Sequence, residues 1–393
     1  MTTKSNDYKR PITNDQLKLT LELKLELAMK TLFLYLNAFS ITGGIEKFNK
    51  AFMKALDDIS ADKEMDYKVL SAYDDKPDEK YVSPAKFKGY KGSRINFTFA
   101  ALKEGIKADK VFIGHINLAV AGILIKLLNP GVKIYLTAHG IEIWDKISFI
   151  KKYFLKKCNY ILAVSSYTKK CIAETHSYPA DRIIIFPNTL DPYFRIPGKF
   201  EKPVNILEKF KIDINDTVLL TLGRLSSVEG KKGYDKVIAV LPEIKNNKDG
   251  LKYLIVGKYD QQEYSRIQKL IVDKKLEDDV ILTGFVSDEE LTDYYLSADI
   301  FVMPSKQEGF GIVFLEALVC GLTVIAGNKD GSIDVLKNGE LGTLIDPDNS
   351  EQLKTEILNN LNVIEDKEFL SSEVQETFGF EKFKERLNEI IRM

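Results

Sequence analysis

The sequence predicts an α/β chain folded as two Rossmann-like domains facing each other across an interdomain cleft. Three observations predict it. Short apolar runs alternate with helix-like patterns from about Met29 onward, the alternation restarts after Pro203, and a stretch carrying Pro192, Pro197, Gly198 and Pro203 divides the two series. Strands that are apolar throughout, not at every second residue, are those buried on both faces of a parallel sheet. Turn-forming residues between two such series read as a linker. The chain's 393 residues suffice for two or three cores. The boundaries drawn are 1–28, 29–196, 197–375 and a closing segment 376–393.

Residues 1–28 stand apart as a leader or appendage: Leu17, Leu19, Leu21, Leu23, Leu25 and Leu27 alternate there with Lys, Thr and Glu. Thr31–Leu36 predicts the first strand, and Gly43-Gly44 opens a helix through Leu56. Lys110–Gly114, Val132–Leu136, Tyr160–Val164 and Ile183–Phe186 follow as strands, with a helix over Leu118–Leu128. The second series runs Val218–Thr221, helix Tyr234–Ile244, Tyr253–Val256, Val280–Thr283, Ile300–Met303, helix Val313–Val319, Thr323–Ala326 and Gly342–Ile345. Ligands of such sheets sit beyond the carboxyl ends of the strands.

Charge excludes one class of partner. Lys and Arg (56) nearly cancel Asp and Glu (57), so no global basic field points to nucleic acid. Cys158, Cys171 and Cys320 lack disulfide or zinc spacing, and His115, His139 and His176 are too dispersed for a metal cluster. A reducing cytoplasm is the expected setting. The longest apolar run, Leu118–Ile125, is stopped by Lys126 and is far short of the ~20 residues a spanning helix needs. Glu22, Lys24 and Glu26 interrupt what a signal peptide would keep apolar.

The densest chemistry lies in Glu308-Gly-Phe-Gly-Ile-Val-Phe-Leu-Glu316, directly after strand Ile300–Met303. Gly309 and Gly311 allow close backbone approach, and the helix behind them offers free N–H groups to an anion. Phe310, Ile312 and Val313 share this loop and first turn, a place for a diphosphate. Glu308 can accept from sugar hydroxyls, and Glu316 can accept both hydroxyls of a ribose. A solvated glycine loop is the plainer alternative, but Glu316 sits inside the otherwise apolar run Val313–Cys320, which argues against it. Upstream, Gly223-Arg224 and Lys232-Gly233 offer a guanidinium fork and a compact cation to phosphate oxygens, with Lys231 as the alternative lysine. Asp346-Pro-Asp348 spells DxD but reads as turn chemistry.

Glu-x7-Glu, spelled EGFGIVFLEALVCGLTVIA, resembles the signature of retaining GT-B glycosyltransferases of family 4 (glycosyl transferases group 1). Gly43-Gly44-Ile-Glu46 is similar to that family's glycine loop, and Gly223-Arg224 with Lys232-Gly233 to its phosphate-binding pair. Gly284-Phe285-Val286 before Ser287–Leu291 resembles the base-binding loop, and Phe380-Glu-Lys-Phe the start of a last helix that crosses back to the first domain. The resemblance spans about Met29 to the C-terminus. It implies a GT-B fold, a nucleotide-diphosphate-sugar donor, a glycan or lipid-linked acceptor, anomeric retention, no metal or other cofactor, and a role in bacterial surface polysaccharide or glycolipid assembly. It further implies that His139, beyond the strand Val132–Leu136, touches the donor sugar; His115 has similar topology with less support.

Trp144–Lys157 mixes aromatic and aliphatic residues with Lys146, Lys151, Lys152, Lys156 and Lys157, and predicts a basic amphipathic helix on an anionic membrane's inner face. The alternative is a core helix with solvated lysines. Three rival functions share the architecture: a nucleotide-sugar 2-epimerase, a sugar-phosphate phosphorylase or synthase, and a binding protein retaining only the cleft. Glu-x7-Glu argues against the first, and intact Arg224, Lys232, Glu308 and Glu316 against the last.

Overall fold

The computed structural model describes residues 29–61, 65–228, 232–361, 363 and 366–393. The expected appendage 1–28 and the alternative Lys231 lie outside the described residues.

The first half forms a seven-stranded sheet: β1 (Met29–Tyr35), β2 (Met65–Ser71), β3 (Phe87–Gly89), β4 (Lys110–Ile113), β5 (Lys133–Ala138), β6 (Tyr160–Ala163) and β7 (Ile183–Ile185). All neighbours are parallel in the order β3-β2-β1-β4-β5-β6-β7. The second half forms a six-stranded sheet of β8 (Thr217–Leu222), β9 (Leu251–Val256), β10 (Val280–Gly284), β11 (Ile300–Met303), β12 (Thr323–Gly327) and β13 (Thr343–Ile345), ordered β10-β9-β8-β11-β12-β13. It too is parallel throughout. The strand order reverses at β1 and β4 in one sheet and at β8 and β11 in the other, successive strands being added outward on opposite sides of that pair. The loops leaving such a pair part to opposite faces and open a crevice for ligand.

Buried aliphatic and aromatic residues explain why the strands are central. Phe33, Phe112 and Tyr135 of neighbouring strands are fully buried, as are Leu219, Leu220, Phe301 and Val302 in the second sheet. Four helices frame the site. Helix α1 (Gly44–Ala61) buries Phe48 and Phe52 on the first sheet, and α2 (Ile312–Val319) is buried at nearly every position in the second half. Helix α3 (Lys367–Phe378) packs on α2, and the chain then breaks at Gly379, in extended backbone. Helix α4 (Phe380–Arg392) carries Phe383, Leu387, Ile390 and Ile391 back onto the first half's aromatic core. Thr189 Oγ1 donates to the Phe378 carbonyl at 2.8 Å, tying the linker to this crossing.

One element departs from expectation. Trp144–Lys157 is not a single helix but a one-turn helix Ile141–Trp144 and a separate helix Phe149–Leu155. Asp145 takes up extended backbone after the first, and Ser148 caps the second. Trp144 turns inward, donating Nε1–H to Thr168 Oγ1 at 3.1 Å with its ring edge-on to Tyr167. Phe149, Ile150 and Tyr153 are exposed while Phe154 and Leu155 are buried.

Candidate active site

The central loops of the two sheets meet. From the first come the β1–α1 loop with Gly43 and Gly44 and the β5 end with His139; from the second come Gly223, Arg224 and Lys232 after β8 and Glu308–Gly311 after β11. Contact is backbone to backbone at one point. A Cβ on Gly309 would stand 1.6 Å from the His139 carbonyl oxygen, and one on Gly140 would stand 2.8 Å from the Gly309 Cα. Only glycine on both sides permits that approach. Ser166 N–H and hydroxyl donate to Asp334 at 2.9 Å, a second tie between the halves.

The Glu308 loop is held by a carboxylate that sequence reading passed over. Asp330, fully buried just beyond β12, accepts from Ser305 Oγ at 2.6 Å, Glu308 N–H at 2.8 Å and Ser332 N–H at 3.0 Å. Burial pushes its carboxyl up, and these hydrogen bonds pull it back. Asp74 does the same for the β1–α1 loop, accepting from Ala38, Phe39 and Ser40 N–H at 2.9, 3.1 and 2.9 Å. Their signal was positional: each acid sits just past the carboxyl end of a strand, Asp74 after β2 and Asp330 before Gly331.

At the start of α2, Gly311 has φ +93° and no side chain caps the first turn, so its N–H groups remain available to an anion. Lys232 Nζ, from the segment after β8, pairs with Glu308 Oε1 of the loop after β11. The structure therefore joins the expected phosphate lysine to the expected sugar carboxylate. Arg224 Nη2 reaches across to the Thr42 carbonyl at 3.4 Å and lies 3.7 Å from the position of a Cβ on Gly43. It thus faces the glycine loop of the other half. Burial pushes the nearby Glu46 carboxyl up, partly offset by Arg224.

Glu316 is fully buried, its Oε2 accepting from Tyr295 O–H at 2.8 Å. Its other oxygen pairs with Lys47, a residue of α1 and a second omission of the sequence reading. Lys47 Nζ also lies 3.9 Å from Asp288 Oδ1, beside the Phe285–Ser287 turn. Burial alone would push the Lys47 ammonium down, and Glu316 with Asp288 reverse this.

Expected ligand contacts sort by orientation. Phe285 is exposed after β10, whereas Val286 and Phe310 turn into the second core, where Phe310 meets Phe378 edge-on. Ile312 is buried and Val313 half-buried. These four can offer a ligand backbone rather than side chain. His139 lies at the cleft, but its Nε2 is 2.9 Å from the Gly114 carbonyl and its ring stands edge-on to Phe48. Burial pushes it down to about 4. His115 accepts from Asn117 N–H at 3.0 Å, caps a helical turn, and is likewise pushed down to about 4 by burial. Asp346 and Asp348 are paired with Lys329, at 2.6 and 3.1 Å, and Asp348 N–H closes the turn on Asp346 at 2.9 Å. Among the described residues no group of three His, Cys, Asp or Glu side chains is placed to hold a metal ion.

Comparison with known proteins bears on the family and the fold. The family model for Glycosyltransferase Family 4 matches residues 42–194, and that for Glycosyl transferases group 1 matches 205–372. A GDP-mannose-dependent alpha-(1-6)-phosphatidylinositol monomannoside mannosyltransferase of Mycobacterium tuberculosis is 28% identical over 225 residues, 54% of this chain and 56% of that protein. The O-antigen chain mannosyltransferase B of Escherichia coli is 27% identical over 237 residues, 57% of this chain and 60% of that protein. The matches thus span about half the length of such curated relatives. A Rickettsia africae glycosyltransferase structure superposes with TM-score 0.74 at 20% identity, over 92% of this chain and 97% of the other. Anabaena HepE, solved with UDP and glucose, gives 0.73 at 16% identity over 93% and 99%. The fold is therefore GT-B. One family model falls on each sheet and their junction on the linker, and the chain belongs to glycosyltransferase family 4, the glycosyl transferases group 1.

Proposed function

We propose that this protein transfers a sugar from a nucleotide-diphosphate sugar to a glycan or lipid-linked acceptor, with anomeric retention and without a metal ion. The observation that supports the reading is convergence: an uncapped helix start, Arg224 against the Thr42 carbonyl, the Lys232–Glu308 pair and a Glu316 buried against Lys47 lie where loops of the two halves meet. In the reaction the bond from the sugar's anomeric carbon to the β-phosphate oxygen breaks, an acceptor hydroxyl oxygen bonds to that carbon, and the hydroxyl proton passes to the departing diphosphate. Negative charge grows on the departing diphosphate. Fixed cations and backbone N–H groups aimed there stabilise the transition state. The Lys232–Glu308 pair is poised to divide, ammonium toward phosphate and carboxylate toward sugar hydroxyls. Glu316 holds the ribose, and His139 borders the sugar as a neutral, pinned ring.

An acceptor on an anionic bilayer fits the exposed Phe149, Ile150 and Tyr153 beside Lys151, Lys152 and Lys156, and a place on the inner face of the cytoplasmic membrane follows. No described helix is long and apolar enough to cross a membrane. The named relatives make GDP-mannose the first donor to try and UDP-glucose the second. A thermal-shift screen over GDP-, UDP-, ADP- and TDP-sugars tests the donor class. A donor at about 100 times its Kd adds roughly 2.7 kcal/mol, a rise of several degrees in Tm. No response to any of the four would contradict the reading.

A further inference from the structure

Glu316 is an acid inside an apolar helix, and its counter-cation comes from the opposite half of the molecule. Its neighbours on α2, Leu315 and Ala317, are fully buried, and the carboxylate itself has no exposed surface. Such a charge persists only when paired and hydrogen-bonded. Tyr295 O–H meets one oxygen at 2.8 Å, and Lys47 Nζ meets the other. Lys47 stands on the first turn of α1, immediately after the Gly43-Gly44 loop, and its side chain is 11% exposed. Asp288, at 3.9 Å, steadies the same ammonium from the cleft rim.

We infer that Lys47 is the positioning residue that holds the Glu316 carboxylate in place, so that recognition of a ribose in one half depends on a cation supplied by the other. The inference rests on the proposed role of Glu316 in holding the ribose. A carboxylate accepts from both ribose hydroxyls at once. Without Lys47, one oxygen of that carboxylate loses its partner and the side chain is held by Tyr295 at the other. Hydrogen bonds to a carboxylate are the stronger kind, so losing their alignment costs about tenfold in affinity. Lys47 pairs with Glu316 and Asp288, so its removal should fall on ribose recognition and not on the chemical step.

The test is titration of GDP and UDP, and of their 2′,3′-dideoxy counterparts, into wild type, Lys47→Met, Lys47→Arg and Glu316→Gln, each checked for cooperative unfolding. Wild type should prefer the ribose form about tenfold or more. Lys47→Met and Glu316→Gln should bind both forms as weakly as wild type binds the dideoxy form, and Lys47→Arg should keep the preference. With donor sugar, Lys47→Met should raise KM about tenfold and leave kcat within about twofold. A Lys47→Met protein that still prefers ribose overturns the role of Lys47 alone. A wild type without preference, or a Glu316→Gln protein that keeps it, overturns the ribose role of Glu316 and this inference with it. Should Lys47→Met fail to fold, Lys47→Arg and Lys47→Gln decide: equal loss of ribose preference in both overturns it, and loss in Lys47→Gln alone supports it.

Discussion

On the proposed function, Glu316 and Arg224 answer to different moments of the reaction. A ribose scarcely changes as the sugar departs, so Glu316→Ala should weaken ground state and transition state alike, raising KM more than it lowers kcat. Charge does grow on the diphosphate, so Arg224→Ala and Lys232→Ala should each lower kcat by roughly 10²–10³. Steady-state kinetics with donor titrated at fixed acceptor separates the two, and near wild-type kcat in both cation variants would end the leaving-group role. His139 makes a second demand at this scale. Its folded-state pKa of about 4 lies below the ordinary value of 6.5, because the buried ring disfavours charge. Its stabilisation is complete above about pH 6.5 and is lost as pH falls toward 4. The unfolding midpoint should therefore drop across that window, and His139→Asn should shallow the drop; an unchanged slope would contradict the burial. Glu308 and Glu316 were legible because two acids stand in a glycine-rich, apolar run. Lys47, Asp74 and Asp330 were not, since the loop or carboxylate each holds lies 269, 34 to 36 and 22 to 25 residues away in sequence, and spacing alone carries no such contact.

Elements bring these residues to within reach through loops that are themselves fixed. Gly309 is the sharpest case, since a methyl there would stand 1.6 Å from a backbone oxygen of the other half. The two sheets can relieve this only by parting, so Gly309→Ala should cut turnover by about 10² while nucleotide affinity changes little. Wild-type turnover in Gly309→Ala would show that the contact is dispensable. The Phe149–Leu155 helix allows a separate prediction. Replacing Lys151, Lys152, Lys156 and Lys157 by Glu should abolish sedimentation with anionic vesicles, since each basic residue contributes about 1 kcal/mol at such a surface. Wild type that ignores phosphatidylserine vesicles at low salt would remove the membrane reading. Strands such as Ile300–Met303 were read to the residue because unbroken apolar runs mark them. Among the features that escaped are β2, whose MDYKVLS mixes charge with apolar residues, the three-residue β3, and the break at Asp145–Ser148. Each is short or polar enough that tertiary pairing, not local pattern, decides it.

At the scale of the molecule, the final helix makes the two halves interdependent. Phe383 and Leu387, the latter fully buried, sit among first-half aromatics although they follow the second half in sequence. The two-sheet architecture was legible from the restart of the strand–helix alternation and the proline-bearing linker. How closely the halves approach was not, because it depends on glycines opposed across the cleft. The central claim is that this cleft carries a sugar from nucleotide to acceptor with its own cations in place of a metal ion. The measurement that bears on it most directly follows sugar-labelled GDP-mannose and UDP-glucose in the presence of membrane lipids and oligosaccharides, with and without EDTA. The account predicts label in an acceptor, one nucleoside diphosphate released per sugar moved, and a rate that EDTA leaves intact. Conversion of the donor to a different nucleotide sugar with no acceptor labelled, or transfer lost to EDTA and restored by Mn²⁺, would contradict it.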